Sequence, residues 1–310
     1  MAQIKKEIWN GKEVYCLEHG KVTARVNPAD GMNIYQLIYD GKLVTAWDEG
    51  RFERKATYGI PVLYPTPNRS ANGKIQIGEK IFDATMHGLV KNLPYEVTEM
   101  QVLSDKVCLT GTLTWDENQP DFARFPYVSK LLISVEVREE SAVWSYEVIN
   151  EGDEPLSYGI AIHPFFSKRE QQVSITVPAH SVMEMTEEKI PTGRLLAVEG
   201  TEFDLETPKS VADLNLDHVY TDREVGKKEN IYYEDMHVEL KASDEFTHVV
   251  VFTPETDFFC IENQSCSTDC FNLHKKGFEK EAGLETVAVN DSKKGFIEFC
   301  FNTKKSSGSS

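Results

Sequence analysis

The sequence predicts an all-β protein, a large domain made of two big antiparallel sheets, and three observations carry that reading. Turn residues recur along the chain at the short intervals of hairpin-linked strands. Between the turns, apolar and polar residues alternate with a period of two, as in half-buried strands. Long apolar patterns with helical spacing are nearly absent, so helix is expected only in short turns.

The elements follow in order. Residues 33–47 hold two strand-like runs around Asp40-Gly41, a strong hairpin signal. Residues 95–103 and 107–115 flank Ser104-Asp105-Lys106 as a second hairpin. Leu131, Ile133, Val135 and Val137 alternate with Leu132, Ser134 and Glu136, and Trp144, Tyr146 and Val148 repeat the pattern after a turn at 138–141. The turn Glu151-Gly152-Asp153-Glu154 leads into an apolar strand carrying His163. Further runs are expected at 172–177, 231–240, 248–252 and 295–301. No Pro/Gly/Ser-rich linker divides the middle, so residues 1–303 are expected to form one domain. The low-complexity residues 304–310 are expected to be a disordered tail.

Composition excludes several classes of function. A hydrophobic content of 40% with 12 Tyr, 16 Phe and 4 Trp suffices for a real core. A formal charge of −17 argues against nucleic acid or an anionic membrane as partner, because both call for basic patches. There is no run of 18 apolar residues, and the polar start Met1-Ala2-Gln3-Ile4-Lys5-Lys6-Glu7 is not a signal peptide, so a cytoplasmic protein is expected. The six cysteines lack the paired spacing of a zinc site; they read as reduced thiols, and no metal is expected.

Two residues invite a catalytic reading. Glu262 lies in the apolar run Phe258-Phe259-Cys260-Ile261-Glu262-Asn263-Gln264, and His163 lies in Tyr158-Gly159-Ile160-Ala161-Ile162-His163-Pro164-Phe165-Phe166. A charge buried on an apolar strand is costly unless paired or used, and an acid with an imidazole can move protons on a polar substrate. The carboxylate is expected to raise the histidine's pKa. Three more segments stand out. Gly59-Ile60-Pro61-Val62-Leu63-Tyr64-Pro65-Thr66-Pro67-Asn68-Arg69 reads as a proline-stiffened, loop-like path. Met86-His87-Gly88-Leu89-Val90-Lys91 and Leu216-Asp217-His218-Val219-Tyr220 each set a polar group among apolar neighbours. Taken singly, His163 reads as a core histidine, Arg69 as a surface arginine, Asp217 as a turn cap, and His87 equally as a turn residue or a ligand.

In order, these segments resemble the aldose 1-epimerase (galactose mutarotase) family: Pro-Asn-Arg at 67–69, His-Gly at 87–88, Gly-x-x-x-His-Pro-Phe-Phe at 159–166, Asp-His-x-Tyr at 217–220 and the strand-borne Glu262. The resemblance spans about residues 31–301. It implies a galactose mutarotase-like β-supersandwich and cofactor-free interconversion of the α and β anomers of a hexose in an open cleft. Glu262 would be the general base and His163 the general acid, with Arg69, Asn68, His87 and Asp217 holding sugar hydroxyls. The partner would be a small-molecule sugar, and the protein a monomer or homodimer. Two departures stand in the sequence: Glu262-Asn263 where the family often has Glu-Pro, and His-Gly-Leu-Val-Lys at 87–91, closer to the His-Gly-Phe-Ala-Arg style of mutarotase-like proteins of less certain substrate.

The rivals are a hexose-6-phosphate 1-epimerase and a non-catalytic sugar-binding protein on the same fold. Lys91, Lys74 and the group Arg51, Arg54 and Lys55 are the cations available for a phosphate, but the sequence shows no convergent set, so a neutral hexose is expected. Tyr64, Phe125, Phe165 and Phe166 are expected in the core, and His19, His180, His237, His248 and His274 in structural or solvated places.

Overall fold

Residues 2–54, 57–224 and 226–303 are described by the computed structural model of the protein. The tail expected at 304–310 and the cation Lys55 fall outside them. Two large antiparallel sheets dominate the chain. One has nine strands, in the order Lys209–Ser210, Ser174–Thr176, Glu229–Tyr232, Met236–Ala242, Ser292–Thr303, Ser141–Asn150, Ser129–Arg138, Lys106–Trp115 and Glu96–Val102. The other runs Pro191–Ala197, Ala179–Met185, Asp217–Arg223, His248–Phe252, Phe258–Gln264, Ala161–Ile162 and Val62–Leu63, with Phe165–Ser167 also paired to Phe258–Gln264. A five-stranded meander over Gln3–Trp9, Lys12–His19, Val22–Asn27, Asn33–Tyr39 and Lys42–Leu43 joins them. The hairpin read around Asp40-Gly41 closes this meander.

Alternation explains the large sheets. On Ser129–Arg138 the side chains of Leu131, Ile133, Val135 and Val137 are buried, and on Ser141–Asn150 those of Trp144, Tyr146 and Val148. Aromatic contacts fasten the layers together. Phe166 of the second large sheet meets Phe299 of the first at 6.3 Å between ring centroids, and Phe301 stacks on Tyr39 of the meander at 5.0 Å. Burying one such ring contributes about 1.5–3 kcal/mol.

Among the described residues, beside four three-residue 3-10 turns, α-helix is confined to Glu49–Glu53, Cys270–Lys275 and Glu279–Ala282. The first is capped by Asp48, whose carboxylate accepts from the Arg51 amide at 2.9 Å. None is long and apolar enough to cross a membrane. The run read at 231–240 is two strands, Glu229–Tyr232 and Met236–Ala242, because Tyr233-Glu234-Asp235 turns the chain back on itself.

Candidate active site

The strand Phe258–Gln264 lies inside its sheet, and all seven of its residues are buried. Its two faces differ. Phe259 and Ile261 join the main core, whereas Cys260 packs with Phe165 and Phe258 in a separate apolar cluster on the other face, the one Glu262 shares by alternation.

Register brings His163 to Glu262. The strand predicted to carry His163 is broken at His163-Pro164 into Ala161–Ile162 and Phe165–Ser167. Ala161 pairs with Gln264 and Phe165 with Cys260, so the offset is the same on both sides of the break. His163 therefore stands opposite Glu262, with Nε2 3.4 Å from Oε1. The backbone at the break is held by the proline-rich segment. His163 N donates to the Pro61 carbonyl at 3.1 Å, Phe165 N to Gly59 at 3.0 Å and Gly159 N to Pro65 at 2.8 Å. Prolines have no N–H to donate but keep their carbonyls as acceptors. The predicted loop is in part the edge strand Val62–Leu63, a position where flanking prolines do least harm. Gly159 must be glycine: a Cβ there would lie 2.2 Å from Cys266 Sγ.

The same ladder arithmetic places Asp217. It pairs with Phe252, which pairs with Cys260, so all three share the cleft face. Asp217 Oδ2 lies 3.5 Å from Arg69 Nη1, which donates to Asn68 Oδ1 at 3.3 Å. Asn68 and His87 both have left-handed backbone, φ 58° and 67°, and His87 N donates to the Asn68 carbonyl at 2.8 Å. Gly88, at φ 77°, allows the chain to pass; a Cβ there would be 2.2 Å from the Tyr64 carbonyl oxygen. The His87 ring then meets His163 edge-on at 5.1 Å. All six residues singled out in the sequence, Glu262, His163, Arg69, Asn68, His87 and Asp217, line one cleft of about 350 Å³.

Electrostatics correct one expectation. Burial pushes the Glu262 carboxyl well above its ordinary range and Asp217 adds to the effect, against the Gln264 amide and Arg69. Burial likewise pushes His163 well below its ordinary value, helped by His87 and Arg51. Geometry alone would read the 3.4 Å contact as an ion pair. Desolvating two charges outweighs their attraction here, so both groups are shifted toward their neutral forms. The expected upward shift of His163 is reversed. His87 is driven down to about 3 by burial and then by Lys91, Arg69 and Arg51. The Nδ1 atoms of both histidines are buried without a hydrogen-bond partner among the described residues.

Gln264, beside the cleft, was not singled out by the sequence. Gln264 Nε2 donates to Glu262 Oε2 at 3.3 Å. The signal was there: a polar residue two positions along an apolar strand shares a face with Glu262. Phe165 stacks flat on His163, centroids 4.4 Å apart, and lines the cleft, whereas Tyr64, Phe125 and Phe166 belong to the core as expected. Arg51 and Lys91 also line it, which corrects the expectation that no cations converge there; Lys74 instead pairs with Asp83 on its own hairpin. Among the described residues, His163, Cys260 and Glu262 form one buried trio with ligand-type atoms within 4.8 Å of one another. Burial holds the Cys260 thiol well above its ordinary pKa, away from the thiolate that metals select. Outside the cleft, His248 is buried and bonds the Glu281 carbonyl at 3.0 Å, and His180 is exposed between Glu206 and Glu224.

Residues 13–289 match the model of the aldose 1-epimerase family. The chain belongs to that family. Solved structures agree on the fold. A galactose mutarotase-like protein from Clostridium acetobutylicum superposes with a TM-score of 0.87 at 21% identity, over 98% of this chain and 99% of that one. A galactose 1-epimerase from Lactobacillus acidophilus gives 0.77 at 14% identity, over 98% and 100%. An aldose epimerase homologue from C. elegans gives 0.74 at 16%, over 93% and 97%. At these identities the likeness establishes a galactose mutarotase-like β-sandwich.

Proposed function

We propose that this member of the aldose 1-epimerase family interconverts the α and β anomers of an aldose by general acid–base ring opening and reclosure. The observation that supports it is the Glu262–His163 pair, 3.4 Å apart in the cleft, with burial shifting both groups toward neutrality. With the proton on His163, Glu262 takes the proton of the anomeric hydroxyl as the C1–O5 bond breaks and His163 gives its proton to O5. The anomeric oxygen becomes a carbonyl oxygen. Glu262 is then protonated and His163 neutral, the form that burial favours in this structure. Rotation about C1–C2 presents the other carbonyl face, and the reverse transfers close the ring as the other anomer. The pair holds one proton throughout, so no net proton enters or leaves. Each group supplies about 10²–10⁴-fold in rate.

Arg69, Asn68, His87 and Asp217 are assigned to sugar hydroxyls, and Gln264 is assigned to orient the Glu262 carboxyl. The orphaned Nδ1 atoms of His87 and His163 are polar groups that a hydroxyl satisfies. Glu262→Gln and His163→Asn are each expected to slow anomerisation at least about 10²-fold with the fold retained, read by polarimetry and circular dichroism. Near-normal turnover by either variant removes that residue from the mechanism. Sugar binding with no acceleration for any aldose would make the protein a binder on this fold.

A further inference from the structure

Among the described residues, two cations in this cleft have no acidic partner. Lys91 is half-buried, yet its ammonium makes no ion pair or hydrogen bond among the described residues. The carboxylate that acts on it from a distance, Asp30, is taken up by the hydroxyls of Tyr35, at 2.8 Å, and Tyr58. Arg51, also half-buried, donates Nε to the Thr57 carbonyl at 2.8 Å and has no carboxylate partner among the described residues. Its guanidinium lies 5.0 Å from the centroid of Phe165 and 5.4 Å from that of Phe258, packing that orients the group without neutralising it. Its Nη ends remain open to an acceptor. Arg69, in the same cleft, shows the contrast: Asp217 neutralises it.

Half-buried cations are costly unless something pairs with them. This chain has 50 acidic residues against 33 basic ones, so the absence of a carboxylate beside both cations is no shortage of acid. The two feel each other: Arg51, after burial, lowers the Lys91 pKa. Two such cations on the wall of one cleft suit an anion within reach of both. We propose that Arg51 and Lys91 form a subsite for an oxyanion carried by the sugar, so that the preferred substrate is an aldose bearing a phosphate ester or a carboxylate. This deepens the epimerase reading and rests on the cleft being the sugar site. Phe165 links the two places, since it stacks on His163 and packs under Arg51. The ring can react at Glu262–His163 while its anionic arm reaches the cations.

The test is equilibrium binding by calorimetry of glucose, glucose 6-phosphate and glucuronate to the wild type, Arg51→Gln and Lys91→Gln, at low and high salt. At least one anionic sugar is expected to bind about tenfold or more tighter than glucose, as charged hydrogen bonds imply. That ratio should shrink in each variant and, in the wild type alone, with added salt. The tighter of the two anions identifies the phosphate or the carboxylate. Glucose binding as tightly as both anions overturns the subsite, and so does a preference that survives both replacements. If the cations serve only to tune His163, replacing them will shift the pH profile of glucose turnover and leave the binding ratio alone, which also overturns it. Anion preference without anomerisation would sink the enzymatic reading and keep the subsite. No measurable binding of any of the three would sink both.

Discussion

Two buried glutamates on either side of one strand meet opposite fates. Glu229, with no exposed surface, is ion-paired to Arg223 and accepts from Asn263 Nδ2 at 3.2 Å. Arg223 in turn donates to the Phe246 carbonyl at 2.5 Å. Glu262, 2% exposed, has only the Gln264 amide at 3.3 Å and a histidine itself pushed toward neutrality. Asn263 and Glu262 are adjacent, so strand alternation sends one toward the core and the other into the cleft. The core carboxylate is given a full positive charge. The cleft carboxyl is denied one, and burial biases it toward its protonated form. A buried acid acquires its chemistry from the compensation withheld from it.

The largest expected effects come from exchanging the two acids one at a time. Glu229→Gln should cost about 3–5 kcal/mol of stability, because Arg223 is left buried and unpaired, while the folded fraction keeps its activity. Glu262→Gln should do the reverse, with activity lost and stability kept or raised. Urea denaturation beside polarimetry reads both, and equal stability losses in the two variants would erase the contrast.

A smaller effect is a pH dependence whose sign separates the groups. Glu262 is raised above its ordinary 4.5, so above that pH the native protein retains a proton that the unfolded chain has released. The native state then binds more protons, and stability from this group falls as pH rises toward the folded pKa. His163 is lowered from 6.5, so below that pH the unfolded chain binds the extra proton and stability falls as pH drops. Glu262→Gln removes the first dependence only. Its stability relative to wild type should therefore grow as the pH rises above 4.5 toward the folded pKa. A constant difference would mean that Glu262 is ionised throughout, like an ordinary paired acid. The smallest expected effect is none at all: exhaustive chelation should leave the rate unchanged, because the proposed proton transfers need no metal and burial biases Glu262 and Cys260 toward their protonated forms. Activity lost to EDTA and restored by a divalent ion would turn the trio into a metal site.

Much of this was legible in the chain. Period-two runs such as 131–137 and 144–148 mark strands because one face of each is buried, and that face is written in residue type. Glu262 and His163 stood out because polar groups in apolar runs are conspicuous. Their meeting was hidden, since it depends on strand pairing across about a hundred residues. The short helices at Cys270–Lys275 and Glu279–Ala282 were too brief to show a helical period. Arg51 and Lys91 looked like scattered cations, because only the tertiary fold brings residues forty apart into one cleft. The protonation states were also beyond reach. Charge attraction can be guessed from residue types, but desolvation depends on how much protein surrounds them.

The unbroken offset across His163-Pro164 makes this site more tolerant of altered side chains than of altered length. Adding or deleting a single residue between Ile162 and Phe165 would reverse the parity of every later side chain on that strand. His163 would then be turned toward the core, or Phe165 would lose its place on the cleft face. Hairpin tips such as Gly78-Glu79, remote from this row, can lengthen without moving either group. Descendants of this chain are therefore free to remodel their rims by insertion, while the spacing from Ala161 to Phe165 stays fixed at the length that seats an imidazole across from a carboxyl.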